Sequence, residues 1–316
     1  MASGSAQAAK PAKGKDINKK SLFFYLKRDW ILYAFLVPVL VYYIVFKYAP
    51  MYGLVIAFKK YNVFKGVFES PWNGLDNWKE AFSNKWVWKA TRNTLVLNLA
   101  TLAINFPLTI ILSLFLNEIR HVRFKKITQS LLYLPHFMSW VVVAGIAADL
   151  FAKTGIINRF LGVADPIPFL HSEGWWIFTY AISNVWKEIG WGTIIYLAAL
   201  TGVDESLYEA AYIDGATKFQ RIVYITLPLI KSVVITMLIL SVSKMMSIGL
   251  DAPLLLGNDK VMEVSQVLST YVYRLGVERA QYSVSTVIGL FQSVVNIIIL
   301  IVADVFAKAI GEEGIL

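Results

Sequence analysis

The sequence predicts an all-α membrane protein with about six transmembrane helices, and three observations carry that prediction. Hydrophobic residues make up 57% of the 316-residue chain and charged residues only 16%, where soluble domains carry roughly 25% charged residues. The mean hydropathy is +0.57. Six apolar runs, each of about 20 residues, are long enough to cross a hydrocarbon core of roughly 30 Å. They must be helices, because lipid offers an exposed backbone group no hydrogen-bond partner.

Taken in order, residues 1–29 form a basic tail rich in Ala, Lys, Gly and Ser, without apolar periodicity. Met1–Ser5 resembles a cloning scar, and no cleavable signal peptide precedes the first span. The transmembrane domain is expected over 30–306, with spans near Ile31–Tyr48, Thr94–Leu116, Ile127–Leu150, Trp175–Leu200, Leu229–Leu250 and Val284–Phe306. A short tail, 307–316, follows. Orientation comes from the cationic clusters, which favour the cytoplasmic side. Lys10, Lys13, Lys15, Lys19, Lys20, Lys27 and Arg28 place the N-terminus inside. Arg120, Arg123, Lys125 and Lys126 place the second loop inside as well, and an even number of spans brings the C-terminus back to the cytoplasm. The outer loop 49–92 departs from the rule, with Lys59, Lys60, Lys65, Lys79, Lys85, Lys89 and Arg92, but its length weakens its vote. Its Trp72, Trp78, Trp86 and Trp88 read as interfacial anchors.

Several chemistries are excluded or disfavoured. There is no cysteine, hence no disulfide and no thiolate metal site. His121, His136 and His171 fall in three separate segments and make no ligand pattern. No phosphate-cradling G-x-x-x-x-G-K-[ST] loop occurs, so the chain is expected to hydrolyse nothing, to bind no cofactor, and to take any ATP chemistry from a partner. No nucleic-acid partner is expected.

The most informative segment is the polar loop 201–228, between the fourth and fifth runs. Asp204 is placed to cap a helix running through Ile213, and Asp214-Gly215 is a turn dipeptide in which glycine is free to take positive φ. Thr217-Lys218-Phe219-Gln220 has capping-box spacing for a second helix, which Pro228 interrupts before the next span. Within this loop stand Glu209, Ala210, Ala211, Gly215, Ile225, Leu227 and Pro228: E-A-A, three residues, Gly, nine residues, then I-x-L-P.

That pattern resembles the EAA loop of ABC importer permeases, and every fixed position is met. Gly74-Leu75-Asp76-Asn77-Trp78, Arg92-Asn93-Thr94 and Gly155-Ile156-Ile157-Asn158 resemble further elements of sugar permeases. The resemblance covers about 30–306 and is closest to the oligosaccharide branch, which includes permeases for fragments such as alginate. It implies a type I ABC importer permease fold in the bacterial inner membrane and a second, paralogous permease. It also implies two ATP-binding subunits that hold ATP and Mg, and an extracytoplasmic solute-binding protein. It further implies that Glu209, Ala210, Ala211, Asp214, Gly215, Arg221, Leu227 and Pro228 couple this chain to the ATPases.

A substrate path is suggested by polar stripes. Thr94, Asn98, Thr101, Asn105 and Thr109 share one face of the second span, and Ser285, Gly289, Gln292 and Asn296 share one face of the sixth. Such stripes either line a wet cavity or hydrogen-bond to neighbouring helices, and both readings stand at this point. Lys187 and Glu188 lie within the fourth span and Lys244 within the fifth; ionisable groups there mark function by default. Adjacent residues point about 100° apart on a helix, so Lys187 and Glu188 are not expected to pair simply with each other. Trp186 and Trp191 flank them and offer faces for a sugar ring. The competing reading is an ion-pair network that holds the helices together.

The outer loop holds seven cations against Glu69, Asp76 and Glu80 over 59–92, a formal +4. With Lys187 and Lys244 below, it favours an anionic ligand such as a uronic-acid oligosaccharide. The loop's lysines otherwise serve to meet acidic residues of the binding protein or to solubilise the loop. The rival class is a secondary transporter coupled to Na⁺ or H⁺ through Glu188 or Asp149. Broken helices and internal repeats would mark it, and the sequence suggests neither. An amino-acid or ion importer on the same scaffold is disfavoured by the Trp-rich outer loop.

Overall fold

The computed structural model describes residues 27–311 together with 314 and 315. The expected basic tail lies outside the described residues as far as Leu26. The described chain is helical, with isolated bridges at Lys59–Trp72 and Asn62–Gly66 as its only extended pairing.

Two compact units divide at Leu54. The first contains α1 (Trp30–Tyr43), which runs on through a π-helical turn, Ile44–Tyr48, into Ala49–Met51. Its sequence is apolar on all sides, as a helix surrounded by lipid or protein requires.

The second unit is built on α2 (Lys85–Glu118), α3 (Val122–Tyr133), α4 (Trp140–Phe151) and α5 (Glu173–Thr201). It continues through α6 (Glu205–Ile213), α7 (Lys218–Arg221), α8 (Lys231–Val242) and α9 (Tyr282–Ala309). The 34 residues of α2 and the 29 of α5 correspond to about 50 and 43 Å at 1.5 Å per residue. These two helices are the spine. Leu97 of α2 packs with Trp176 and Tyr180 of α5 in one core, and Leu116 packs with Leu197 and Leu200 in another. α3 lies against α5 so closely that a Cβ on Gly190 would collide with the Leu132 carbonyl. Glycine is required there by proximity alone.

Four helical stretches are long and apolar enough to cross a membrane: Trp30–Phe58, Lys85–Glu118, Trp140–Leu161 and Tyr282–Ala309. The pair Lys218–Leu229 and Lys231–Val242 makes a fifth if its 64° bend is counted within one span. The long helix α5, which carries Asn184, Lys187 and Glu188, is not among these stretches. The expected six is therefore an approximate count.

Two expected spans are not single helices. The run 127–150 breaks into α3, a 3₁₀ turn at Leu134–Phe137 and α4, with Met138 and Ser139 extended. Pro135 removes a backbone donor, and the Ser139 side chain accepts from Val142 N–H to start α4 afresh. The run 229–250 is helical only over Lys231–Val242. It bends at Ile230, two residues beyond Pro228, where the interruption was expected, and it unwinds from Ser243. Lys244 therefore lies beyond the helix rather than on it. The second span begins at Lys85 instead of Thr94, because Asn84 caps it and its first turns sit among the outer-loop aromatics.

Candidate functional site

The polar loop has the local structure its sequence dictates. Asp204 Oδ1 accepts from Ser206 N–H at 2.9 Å and starts α6. That bond holds the Asp204 carboxyl below its ordinary value. The cap is thus intact above the usual carboxylate range and is lost only as acidification reaches the depressed folded value. After Ile213 the chain turns on Gly215 at φ +77°, and Ala216 N–H donates to Ala211 C=O at 2.9 Å. Thr217 and Gln220 form a complete capping box, with Thr217 N–H donating to Gln220 Oε1 at 2.8 Å.

Glu209, Ala210, Asp214, Gly215 and Pro228 are exposed, while Ala211, Arg221 and Leu227 are half-buried. One contact ties the two arms of the loop together and another joins it to α2. The Tyr208 hydroxyl meets buried Thr226 Oγ1 at 2.9 Å, and Lys218 pairs with Glu118 at the end of α2 at 3.3 Å. Beneath them a cavity of about 320 Å³ is walled in part by Glu118, Arg120, Glu205, Glu209 and Arg221. The guanidinium of Arg221 sits 6.0 Å from the Tyr212 ring, and its buried Nε has no hydrogen-bond partner.

The intramembrane charges are placed differently from expectation. Lys187 is 6% exposed, and its ammonium donates to the carbonyls of Pro135, His136 and Met138 at 3.3, 2.6 and 2.9 Å. It caps the broken third span. Glu188 Oε2 lies 2.8 Å from His136 Nδ1, and Oε1 lies 3.8 Å from Lys187 Nζ. The adjacent pair does approach, because both side chains curl toward the same turn, contrary to the expectation from helix geometry. The His136 ring stacks on Trp191 at 4.4 Å, 4° from parallel. One face of Trp191 is therefore already occupied, though the residue is still 44% exposed. His136 was not singled out by the sequence. The signal available was its place beside Pro135 inside an apolar run.

The polar stripes converge on the second break. Asn98 Nδ2 donates to the carbonyls of Met245 and Ser247 at 2.7 and 3.2 Å. Asn296 accepts from Met246 N–H at 3.0 Å and donates to Ser247 Oγ at 2.7 Å, and Gln292 donates to the same hydroxyl at 3.2 Å. Thr94, wholly buried, accepts from Leu268 N–H. Asn98, Asn296 and Thr94 thus hold backbone, while Gln292 reaches the Ser247 hydroxyl. Asn105 differs, since its amide nitrogen has no partner among the described residues and its Oδ1 meets only Thr109. Lys244 is exposed and likewise has no partner among them.

In the outer loop the four tryptophans are packed rather than scattered. Trp72 stacks on Phe58, Trp78 meets Phe58 and Phe82, Trp88 meets Phe82 and Phe291, and Lys89 lies over Trp86. Four of the loop's cations are engaged: Lys59 on the carbonyls of Val67 and Phe68, Lys79 on Asp76, Lys89 on Glu263, and Arg92 on Asn93 Oδ1.

A loop with this capping pattern, carried by a bundle of apolar helices, is what the family profile described as "Binding-protein-dependent transport system inner membrane component" matches, over residues 87–312. The chain belongs to this family. The similarity extends beyond the profile. Protein LplB of Bacillus subtilis (strain 168) is 42% identical over 293 residues, 92% of each chain. The polygalacturonan/rhamnogalacturonan transport system permease protein YteP of the same organism is 42% identical over 318 residues, 98% of this chain and 99% of that one. A chain in the crystal structure of a bacterial ABC transporter involved in import of the acidic polysaccharide alginate superposes with a TM-score of 0.83. It is 36% identical, over 92% of this chain and 99% of that one. The same transporter is also known in complex with an alginate pentasaccharide-bound periplasmic protein.

The protein is thus a permease of an inner-membrane, binding-protein-dependent ABC importer, and its fold is that of such permeases. Membership of the family displaces the secondary-transporter reading. The sequence argument against that rival does not survive, because the structure does contain broken helices; the family assignment replaces it.

Proposed function

We propose that this chain is one permease subunit of an importer for acidic oligosaccharides made of uronic-acid units. The observation that carries this reading is the 42% identity, over 98% of the chain, to a permease named for polygalacturonan and rhamnogalacturonan. The alginate importer supports it independently. A second, paralogous permease completes the pathway, an extracytoplasmic binding protein delivers the sugar, and two ATP-binding subunits hold ATP and Mg and do the hydrolysis. Both termini are cytoplasmic, as the cationic clusters suggest.

In this reading Glu209, Ala210, Ala211, Asp214 and Gly215 form the surface that docks with an ATPase. Glu209 and Asp214 are its exposed carboxylates. Leu227 and Pro228 carry the motion toward the bend at Ile230. Asn105 and Lys244 offer the substrate path free polar groups and Trp191 an exposed ring, with Glu188 held beside it by His136. Lys187, Asn98 and Asn296 shape that path by holding broken backbone, and Gln292 joins them through the Ser247 hydroxyl. Of the two lysines, exposed Lys244 rather than buried Lys187 has a charge free for a carboxylate.

The test is uptake by the reconstituted complex of an oligogalacturonate and a neutral oligogalactoside of equal length, across a salt series. The expected result is preference for the oligogalacturonate that weakens as salt screens the field. Equal uptake of both sugars at every salt concentration would remove the acidic-substrate reading and leave the permease assignment standing.

A further inference from the structure

Between α8 and α9 the chain folds into short helices, Asp251–Leu256, Met262–Ser265 and Leu268–Tyr273. The coupling loop leads into one end of α8 and this segment leaves the other, so it lies toward the opposite, outer side. It encloses a cavity of about 130 Å³ whose wall includes Leu254, Asp259, Ser265, Gln266 and Arg274.

Ser265 and Gln266 are each 7% exposed, yet neither side chain makes a hydrogen bond among the described residues. Their polar atoms are not sealed from solvent, so they open onto the cavity. The fold does not depend on these side chains, because the backbone carries the contacts there. Gln266 N–H donates to Met262 C=O, and its carbonyl accepts from Asn93 Nδ2. Arg274 is half-buried with no carboxylate on it among the described residues, and Asp259 has no cation on it.

The chemistry of the wall points to one ligand class. A guanidinium matches a carboxylate with two parallel hydrogen bonds. An amide and a hydroxyl each donate and accept, as neighbouring sugar hydroxyls require. Asp259 opposes a bare anion and favours one that carries hydroxyl donors beside its charge. The volume equals that of about four waters at liquid density, which suits the carboxylate edge of one pyranose. We propose that this cavity is an entry subsite for a single uronate unit. Its carboxylate sits on Arg274 and its hydroxyls are shared among Asp259, Ser265 and Gln266. This rests on the acidic-oligosaccharide reading above and adds a site to it.

The chain has no cysteine, so Leu254→Cys on the cavity wall gives a clean reporter. In the purified complete transporter without binding protein, its rate of reaction with a water-soluble maleimide is measured with digalacturonate or with neutral galactobiose. Digalacturonate should slow labelling and galactobiose should not. Adding Arg274→Gln should weaken the apparent affinity roughly tenfold or more, the effect of losing a charge-assisted hydrogen-bonded pair. Arg274→Lys should restore part of it. The isosteric Gln266→Glu, which places a second carboxylate against the ligand, should also abolish protection if Arg274→Gln fails to assemble. Labelling that ignores digalacturonate, or is slowed equally by galactobiose, overturns the proposal. So does protection by unliganded binding protein alone, which would make the cavity a protein-docking face. If uptake still prefers oligogalacturonate while protection is absent, this subsite fails and the acidic-substrate reading survives.

Discussion

Lys187 illustrates how a charge within an apolar helix can be misread at the scale of one residue. Counted as a charge, it looks like bait for an anion. Placed, it is a three-pronged donor to the carbonyls at 135, 136 and 138, where the helix breaks, and only that of Pro135 also accepts a backbone N–H, from Met138, among the described residues. Lys187→Met removes these bonds and leaves the carbonyls buried, at a cost on the order of 3 kcal/mol for bonds to a charged donor. The expected readout is a lower unfolding temperature of the detergent-solubilised protein. An unchanged midpoint would show that the ammonium is dispensable to the fold. Lys244→Met is the cleaner probe of charge, and it should lower uptake of a uronate oligosaccharide while leaving the midpoint in place. Gly215 makes a different point. Nothing lies within 4 Å of where its Cβ would be, so only its φ of +77° resists substitution. Gly215→Val should cost about 1–3 kcal/mol of local strain, felt as loss of substrate-stimulated ATPase activity in the assembled transporter. Wild-type stimulation at normal assembly would remove this turn from the coupling route.

At the scale of elements, each broken helix is repaired by a straight one. α5 lends Lys187 to the break at 134–139, and α2 and α9 lend Asn98, Gln292 and Asn296 to the unwound stretch after Val242. Irregular backbone at membrane depth survives only where such partners or a cavity receive it. Asn98→Ala should therefore loosen residues 245–247 and raise their amide hydrogen exchange. A single Asn105→Cys, facing no carbonyl it must satisfy, should react with a water-soluble thiol reagent at a rate that changes with ATP. If Asn105→Cys stays inert in every state while a control cysteine in the outer loop labels, the second helix contributes packing and no path. The same elements mark how far the sequence could be read. α5 and α9 end within about three residues of their apolar runs, because each stays helical throughout its run. The breaks in the third and fifth runs were invisible, since Leu134, Phe137 and Met138, like Met245 and Met246, stay apolar where the helix stops. Hydrophobicity reports surroundings, not hydrogen bonding. The polar loop 201–228 was legible almost atom by atom, because caps and turns are local chemistry. The Glu118–Lys218 and His136–Glu188 contacts were not legible, because they join positions 100 and 52 residues apart.

At the scale of the whole molecule, transport is a property of an assembly. The purified chain alone in liposomes should take up no oligosaccharide with or without an ion gradient, and uptake should appear when the partner permease, ATPases and binding protein are added with ATP. Gradient-driven uptake by the lone chain would contradict the family's mode of action. Within the unit, the close approach of Gly190 to Leu132 has a further consequence in genetics. Every single-base change of a glycine codon that yields another amino acid adds a Cβ, so no missense mutation at this codon can be silent in structure. Gly174, with open space around its missing Cβ and an ordinary φ, should tolerate alanine. In a library of all point substitutions selected for growth on the transported sugar, codon 190 should be emptied of variants while codon 174 stays populated.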